Sequence, residues 1–221
     1  MATGEVSALN ALHWGPASKN TPTQLVVLCH GLGADSHDLI DLAPAWSHAL
    51  PDALFASVDA PFAHDSGFGR QWWSVADRSP AVVEAGVRRA APYLHDFIDA
   101  ELERLALPPT AYALMGFSQG AMMVLFVGLR RANAPRAILA FSGALVAPDS
   151  LTMELVNRAP VLLVHGEADD VVPAQRSHDA ETRLAEAGVP VEASYVPRLG
   201  HGIDDTGLAM GAVALQRAFS V

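Results

Sequence analysis

Cysteine and lysine are nearly absent from this chain of 221 residues: Cys29 and Lys19 stand alone. A single cysteine excludes an internal disulfide and any cysteine-based zinc cluster. Inside "LVVLCHG" it reads as a small buried core residue. Positive charge is scarce as well, with 14 Lys and Arg against 24 Asp and Glu and a formal net charge of −10. An acidic surface repels phosphate backbones, so nucleic acid is not an expected partner. No basic patch is present to hold an anionic membrane, and no stable membrane association is expected. The opening "MATGEVSALN" lacks a basic segment followed by an apolar one and does not read as a signal peptide. The most apolar window, 111–129, is broken by Gly116, Ser118, Gln119 and Gly120, which makes a poor membrane span. Repeats and low-complexity tracts are also missing. A reducing cytoplasm is the expected setting.

What remains is rich in core-forming residues. Hydrophobic residues make up 51% and charged ones 17%, and a chain this long buries roughly 70% of its unfolded surface. Short apolar runs at 24–30, 53–59, 110–115, 136–142, 160–165 and 190–196 read as strands. Several are apolar throughout, as parallel strands covered on both faces must be. Helix patterns lie between them at 37–49, 80–106, 119–131, 174–187 and 204–219. In 80–106 the residues Val83, Val87, Ala90, Leu94, Ile98, Leu102 and Leu105 recur in steps of three and four and share one face. This alternation predicts one α/β domain, 1–221, with a mostly parallel sheet and helices on both faces. The segment 61–80, "PFAHDSGFGRQWWSVADRSP", has no clean period. It reads either as a functional loop or as a surface loop whose tryptophans plug a gap in the core.

The stretch "GFSQGA", 116–121, lies between a strand pattern and a helix pattern. Gly-x-Ser-x-Gly at such a junction is the sequence of a nucleophile elbow, in which a strained serine is held out of the sheet and flanking glycines permit close packing. A serine hydroxyl needs a base. His201 in "LGHGIDD" follows the last strand pattern and can reach back over the sheet edge. The histidine in turn needs a carboxylate; "VHGEADDVVP" offers Asp169 and Asp170 in the turn after 160–165. Asp204 and Asp205 read as helix N-terminal caps. "DSHDLID", 35–41, mixes His and Asp, but Asp35, Ser36 and Asp38 fit a helix start without a metal. In "HGLGAD", 30–35, Gly31 and Gly33 let the backbone curl so that an N–H can face Ser118; the N–H of Gln119 would be the second donor to an oxyanion.

Taken together, "HGLGAD", "GFSQGA", "HGEADDVVP" and "GHGI" resemble the phospholipase/carboxylesterase family of α/β-hydrolases over about residues 20–219. The resemblance implies Ser118 as nucleophile, His201 as base, and Asp169, fourth after His165, as the acid. It implies Leu32 and Gln119 as oxyanion donors, and Trp72 and Trp73 in "GRQWWSV" beside the acyl pocket. No metal or organic cofactor and no large cap domain is implied. Ser74 stands where many relatives carry Asp, and "GLGAD" replaces "GLGD". The expected activity is therefore hydrolysis of small-molecule, short-chain carboxylic esters. Acyl-protein thioesterase or lysophospholipase activity on the same residues is the alternative, and a non-catalytic binding protein is the rival from another class. A homodimer is left open.

Overall fold

The computed structural model describes residues 8–220. The opening stretch read above for a leader falls largely on residues 1–7, outside the described residues.

Seven strands form one sheet. They are β1 (Ala11–Trp14), β2 (Gln24–Cys29), β3 (Ala53–Val58), β6 (Tyr112–Phe117), β7 (Ile138–Phe141), β8 (Val161–Gly166) and β9 (Val191–Val196), in the order β1-β3-β2-β6-β7-β8-β9. All pairs are parallel except β1 with β3. A separate two-stranded hairpin, β4 (Phe62–Ala63) and β5 (Arg70–Gln71), lies outside the sheet.

Alternation along β2 shows why the inner strands read as continuous apolar runs. Leu25, Val27 and Cys29 face one core; Val26 and Leu28 face the other. Both cores are covered by helices, so the run from Leu25 to Cys29 is apolar throughout. The first core receives α3 (Pro80–Arg104) through Val87, Ala90, Leu94, Ile98 and Leu102, α4 (Gln119–Gly128) through Met123 and Val124, and α6 (Gln175–Glu186) through Ala180 and Leu184. The second receives α1 (Ser36–Ile40), α2 (Ala43–Trp46) and α7 (Asp205–Phe219) through Leu39, Trp46 and Leu215. Between β7 and β8 lie only a 3-10 turn, Pro148–Ser150, and the four-residue α5 (Leu151–Glu154).

Three expectations need correction. The helix expected over 37–49 is two short helices, because Pro44 has no N–H for a helix continuing from α1. Strand β6 runs through Phe117 rather than ending at 115, so the first glycine of "GFSQGA" is paired within the sheet, opposite Cys29 and Ala140. The edge strand β1 was not expected at all: it has four residues, and its antiparallel partner β3 supplies the context that makes it a strand.

Both aspartates expected to cap helices were sorted by geometry. Asp204 is the N-cap of α7 and accepts from the N–H of Gly207 at 2.8 Å, while Asp205 is the first residue of the helix. Asp35 caps α1 in the same way, accepting from the His37 N–H at 2.9 Å.

Candidate active site

Ser118 sits between β6 and α4 with φ 53° and ψ −115°, a conformation that costs about 1–3 kcal/mol and persists only where the surroundings impose it. The glycines two residues to either side are what the imposition requires. A Cβ on Gly116 would lie 2.3 Å from the Gly120 carbonyl oxygen, and one on Gly120 would lie 1.9 Å from that of Cys29. Strand and helix approach that closely, and the serine is pushed out at the bend.

Asp169 and His201 reach the same place from two further strand ends. Asp169 lies in the turn after β8, and His201 in the loop between β9 and α7. His201 Nε2 is 3.0 Å from Ser118 Oγ, and His201 Nδ1 is 2.6 Å from Asp169 Oδ2. The expected order of residues therefore closes into one hydrogen-bonded chain at the carboxyl ends of the parallel strands. Asp170 is exposed and outside it.

Asp169 is held as an acceptor on both oxygens. Oδ1 takes the backbone N–H groups of Val171 and Val172 at 2.9 and 2.8 Å. Burial alone would raise its pKa. The bond from His201 and the two backbone N–H groups outweigh burial and hold it below the usual carboxylate value. An ionised carboxylate with Nδ1–H pointing at it leaves Nε2 of His201 free to accept the Ser118 proton.

Two further histidines support the site, His165 behind Asp169 and His30 in the loop that carries Leu32, and neither was singled out from the sequence. His165, at the end of β8, is fully buried; its Nε2 lies 3.1 Å from Asp169 Oδ2 and 2.8 Å from the Val172 carbonyl oxygen, and its Nδ1 lies 2.7 Å from Ser177 Oγ. His30, just past β2, is fully buried too. Its Nδ1 lies 2.6 Å from the Gly31 carbonyl oxygen, and its Nε2 accepts from the Ala60 N–H at 3.0 Å. A signal existed: each is a histidine directly before a glycine at the end of an apolar strand, "CHG" and "VHG".

The loop after β2 carries Leu32 to the cavity. Gly33 there has φ +80°, and its N–H donates to the Arg70 carbonyl at 2.8 Å. The Arg70 N–H returns to the Ala34 carbonyl at 2.8 Å, so the β4–β5 hairpin is stitched to this loop. Gly31 does not need a left-handed backbone; a Cβ there would crowd the Phe117 ring at 3.2 Å and Ser118 Cβ at 3.3 Å. Among the described residues no group accepts from the Leu32 N–H. Gln119 opens α4, so its N–H has no acceptor within the helix.

The Gln119 side chain ties down the segment 61–80. Its Oε1 accepts from the Trp72 N–H at 2.8 Å, and its Nε2 donates to the Trp73 carbonyl at 2.8 Å. The two tryptophans then part. Trp73 lines the cavity beside Ser118. Trp72 does not: it is fully buried in the first core, and its indole N–H donates to the His30 carbonyl at 3.0 Å. Both tryptophans were expected beside the acyl pocket; Trp73 forms part of its wall, and Trp72 lies next to it without lining it. The indole of Trp72 props the loop that carries Leu32; its neighbour Trp73 is also buried in the first core and forms part of the cavity wall.

The cavity holds Ser118, Gln119, Leu32 and His201 in a volume of about 480 Å³. A larger groove of about 870 Å³ lies at the opposite end of β7, β8 and β9 and holds no member of the hydrogen-bonded chain. No helix among the described residues is long and apolar enough to cross a membrane.

Similarity to known proteins agrees with this geometry. Esterase YpfH of Escherichia coli (strain K12) is 29% identical over 194 residues, 87% of this chain and 82% of that protein. Acyl-protein thioesterase 1 of Schizosaccharomyces pombe is 31% identical over 180 residues, 75% of this chain and 76% of that protein. The crystal structure of esterase PE8 superposes with a TM-score of 0.91 at 36% identity, covering 96% of this chain and 100% of that one. The sequence model of the phospholipase/carboxylesterase family matches residues 16–215, and the chain belongs to that family of α/β-hydrolases.

Proposed function

We propose that this protein is a serine carboxylesterase that hydrolyses short-chain carboxylic esters through an acyl-enzyme on Ser118. The observation that carries the proposal is the chain from Ser118 Oγ through both nitrogens of His201 to Asp169, with 3.0 and 2.6 Å links. In this reading Ser118 Oγ bonds to the ester carbonyl carbon as His201 Nε2 takes its proton. The carbonyl π pair becomes an oxyanion, held by the N–H groups of Leu32 and Gln119. The intermediate collapses, the C–O bond to the alcohol breaks, and His201 returns the proton to the leaving oxygen. Water then repeats the sequence on the acyl-enzyme, releasing the acid and restoring Ser118. Asp169 holds the Nδ1–H tautomer and offsets the charge on the imidazolium. The scheme uses no metal and no organic cofactor.

A cavity of about 480 Å³ with an apolar Trp73 wall, and with only a 3-10 turn and a four-residue helix between β7 and β8 among the described residues, suits a small ester better than a long lipid. A small-molecule ester in the cytoplasm is the proposed setting, with neither nucleic acid nor membrane as a partner; a homodimer is compatible with it. The second reading is a thioesterase or lysophospholipase on the same residues; the name of the S. pombe relative favours its thioesterase form.

Turnover on esters graded by acyl length, with a palmitoyl thioester and a lysophospholipid alongside, tests both. The proposal expects the highest kcat/KM on acyl chains of about two to six carbons. A maximum on the palmitoyl substrate or the lysophospholipid selects the second reading. No turnover on any member, together with no fluorophosphonate label on Ser118, overturns both.

A further inference from the structure

Arg78 and Arg176 reach the Ser118 cavity from separate parts of the chain, the segment leading into α3 and the first turn of α6. Both also line an adjoining groove of about 580 Å³, bordered by Pro80, Val83 and Arg183. The two arginines thus line both hollows.

Neither has a side-chain hydrogen bond, an ion pair or an aromatic face among the described residues. Most arginines of this chain do have one. Arg88 and Arg130 share Glu154, Arg104 pairs with Glu101, Arg131 with Asp99 and Arg217 with Glu192. Arg70 donates to the carbonyls of Ala60 and Pro61, and Arg89 lies over the Phe62 ring. Both are exposed, as are Arg136 and Arg198, which also lack such partners among the described residues; what sets Arg78 and Arg176 apart is that they line the Ser118 cavity.

The remaining walls narrow the chemistry. Leu32, Trp73, Val75, Met122 and Val146 are apolar, and they line the same cavity as Ser118 and the two arginines. Among the described residues Asp38, itself exposed, is the only carboxylate lining that cavity, against two arginines. The adjoining groove, by contrast, has Glu84, Asp149 and Asp179 of its own. A planar guanidinium fork matches a carboxylate in two parallel hydrogen bonds.

Building on the esterase reading above, we infer that the preferred substrate is an ester bearing a carboxylate at the end of a short apolar chain. Arg78 and Arg176 hold that carboxylate while the ester carbonyl faces Ser118. The carboxylate takes no part in bond making; it enters and leaves unchanged on one of the two products. Long-range repulsion from the acidic surface works against such a ligand, and the paired cations at the site offset it locally.

Two series of esters test the inference with the intact protein. Monomethyl glutarate and monomethyl adipate carry the anion on the acyl side; methyl 5-oxohexanoate and methyl 6-oxoheptanoate are their neutral counterparts. The acetate ester of 4-hydroxybutanoate carries it on the alcohol side, with 5-acetoxypentan-2-one as counterpart. The readout is the ratio of kcat/KM, anionic over neutral, within each enzyme. The expected ratio is about fivefold or more in one series, and that series identifies which side bears the anion. It falls towards one in the Arg78→Gln/Arg176→Gln variant, and in about 1 M NaCl, where the screening length is roughly 3 Å. A ratio near one in both series for the wild type overturns the inference, as does a ratio that survives the double substitution. Turnover of the neutral esters without any anionic preference sinks this inference alone; no turnover of either kind sinks the esterase reading with it.

Discussion

His165 and His201 meet on a single oxygen, Oδ2 of Asp169, at 3.1 and 2.6 Å. The carboxylate is thereby fixed from behind by a buried ring while it orients the imidazole in front. Removing His165 leaves Oδ2 with one donor fewer and leaves the Val172 carbonyl without its ring N–H. His165→Leu should lower kcat about tenfold, the kinetic equivalent of roughly 1.4 kcal/mol, while KM stays within about twofold. His165→Gln retains a donor and should recover part of the loss. Steady-state kinetics on one short ester decide it; an unchanged kcat in His165→Leu means that His201 and the two backbone N–H groups hold Asp169 by themselves.

The three residues of the hydrogen-bonded chain should behave as a unit. Ser118→Ala is expected to lower kcat by about 10⁶-fold, and the double variant with His201→Ala little further. Asp169→Asn should cost about 10⁴-fold, because an amide in that position favours the wrong tautomer of His201. Single-turnover assays with an activated ester measure all three. A loss below tenfold in Ser118→Ala removes Ser118 from the proposed role.

How much of this was legible beforehand depends on range. Gly116 to Gly120 carried much of its meaning locally: the strain at Ser118 and the close approach of Gly116 to Gly120 arise within five residues, whereas Gly120 is pressed by the Cys29 carbonyl of another strand. Apolar runs such as "PVLLVH" announced buried strands for the same reason. The roles of His30 and His165 rest in part on partners brought by other elements, Ala60 after β3 in one case and Ser177 of α6 in the other. Nothing adjacent in the chain names those partners. Trp72 and Trp73 are neighbours with the same side chain and both are buried in the first core, yet only Trp73 also lines the cavity. An irregular segment has no period from which to tell them apart. Arg78 and Arg176 were equally mute, since an unpaired cation is defined by what the fold leaves out of reach.

Gln119 links these distant parts, and its side chain is open to a separate test from its backbone. In Gln119→Leu the Trp72 N–H and the Trp73 carbonyl both lose their partner inside the protein. Leaving buried polar groups unpaired costs about 1–3 kcal/mol each. The expected result is a lower thermal midpoint, together with a raised KM as the Trp73 wall loosens. The Gln119 N–H remains, so kcat should fall far less than in Ser118→Ala. Thermal unfolding and kinetics of the same preparation measure both effects. Unchanged stability with unchanged KM would show that the segment 61–80 is held by the β4–β5 hairpin instead.

His30 gives the fold an acid limit whose sign follows from its surroundings. Burial is the leading cause that lowers its pKa, against the Gly31 carbonyl and the nearby charges of Asp59, Asp38 and Asp35, which raise it. The ring is neutral, with Nδ1–H donating to Gly31 and Nε2 accepting from the Ala60 N–H; a proton on Nε2 would break the second bond. In the unfolded chain the same ring titrates near ~6.5. Above that pH both states are neutral and nothing is lost. As pH falls below it, the unfolded state takes up a proton that the folded state refuses, and stability drops by at most about 1.4 kcal/mol per pH unit. The drop continues until the lowered folded pKa is reached. His95, also pushed down by burial and by Arg131, contributes with the same sign. It is present in both proteins when wild type and His30→Gln are compared, so the difference isolates His30. Urea unfolding at intervals from pH 8 to 5 should show the wild type losing stability faster than His30→Gln below about pH 6.5. Parallel curves would mean that His30 is protonated in the folded protein and that the loop bearing Leu32 tolerates the charge.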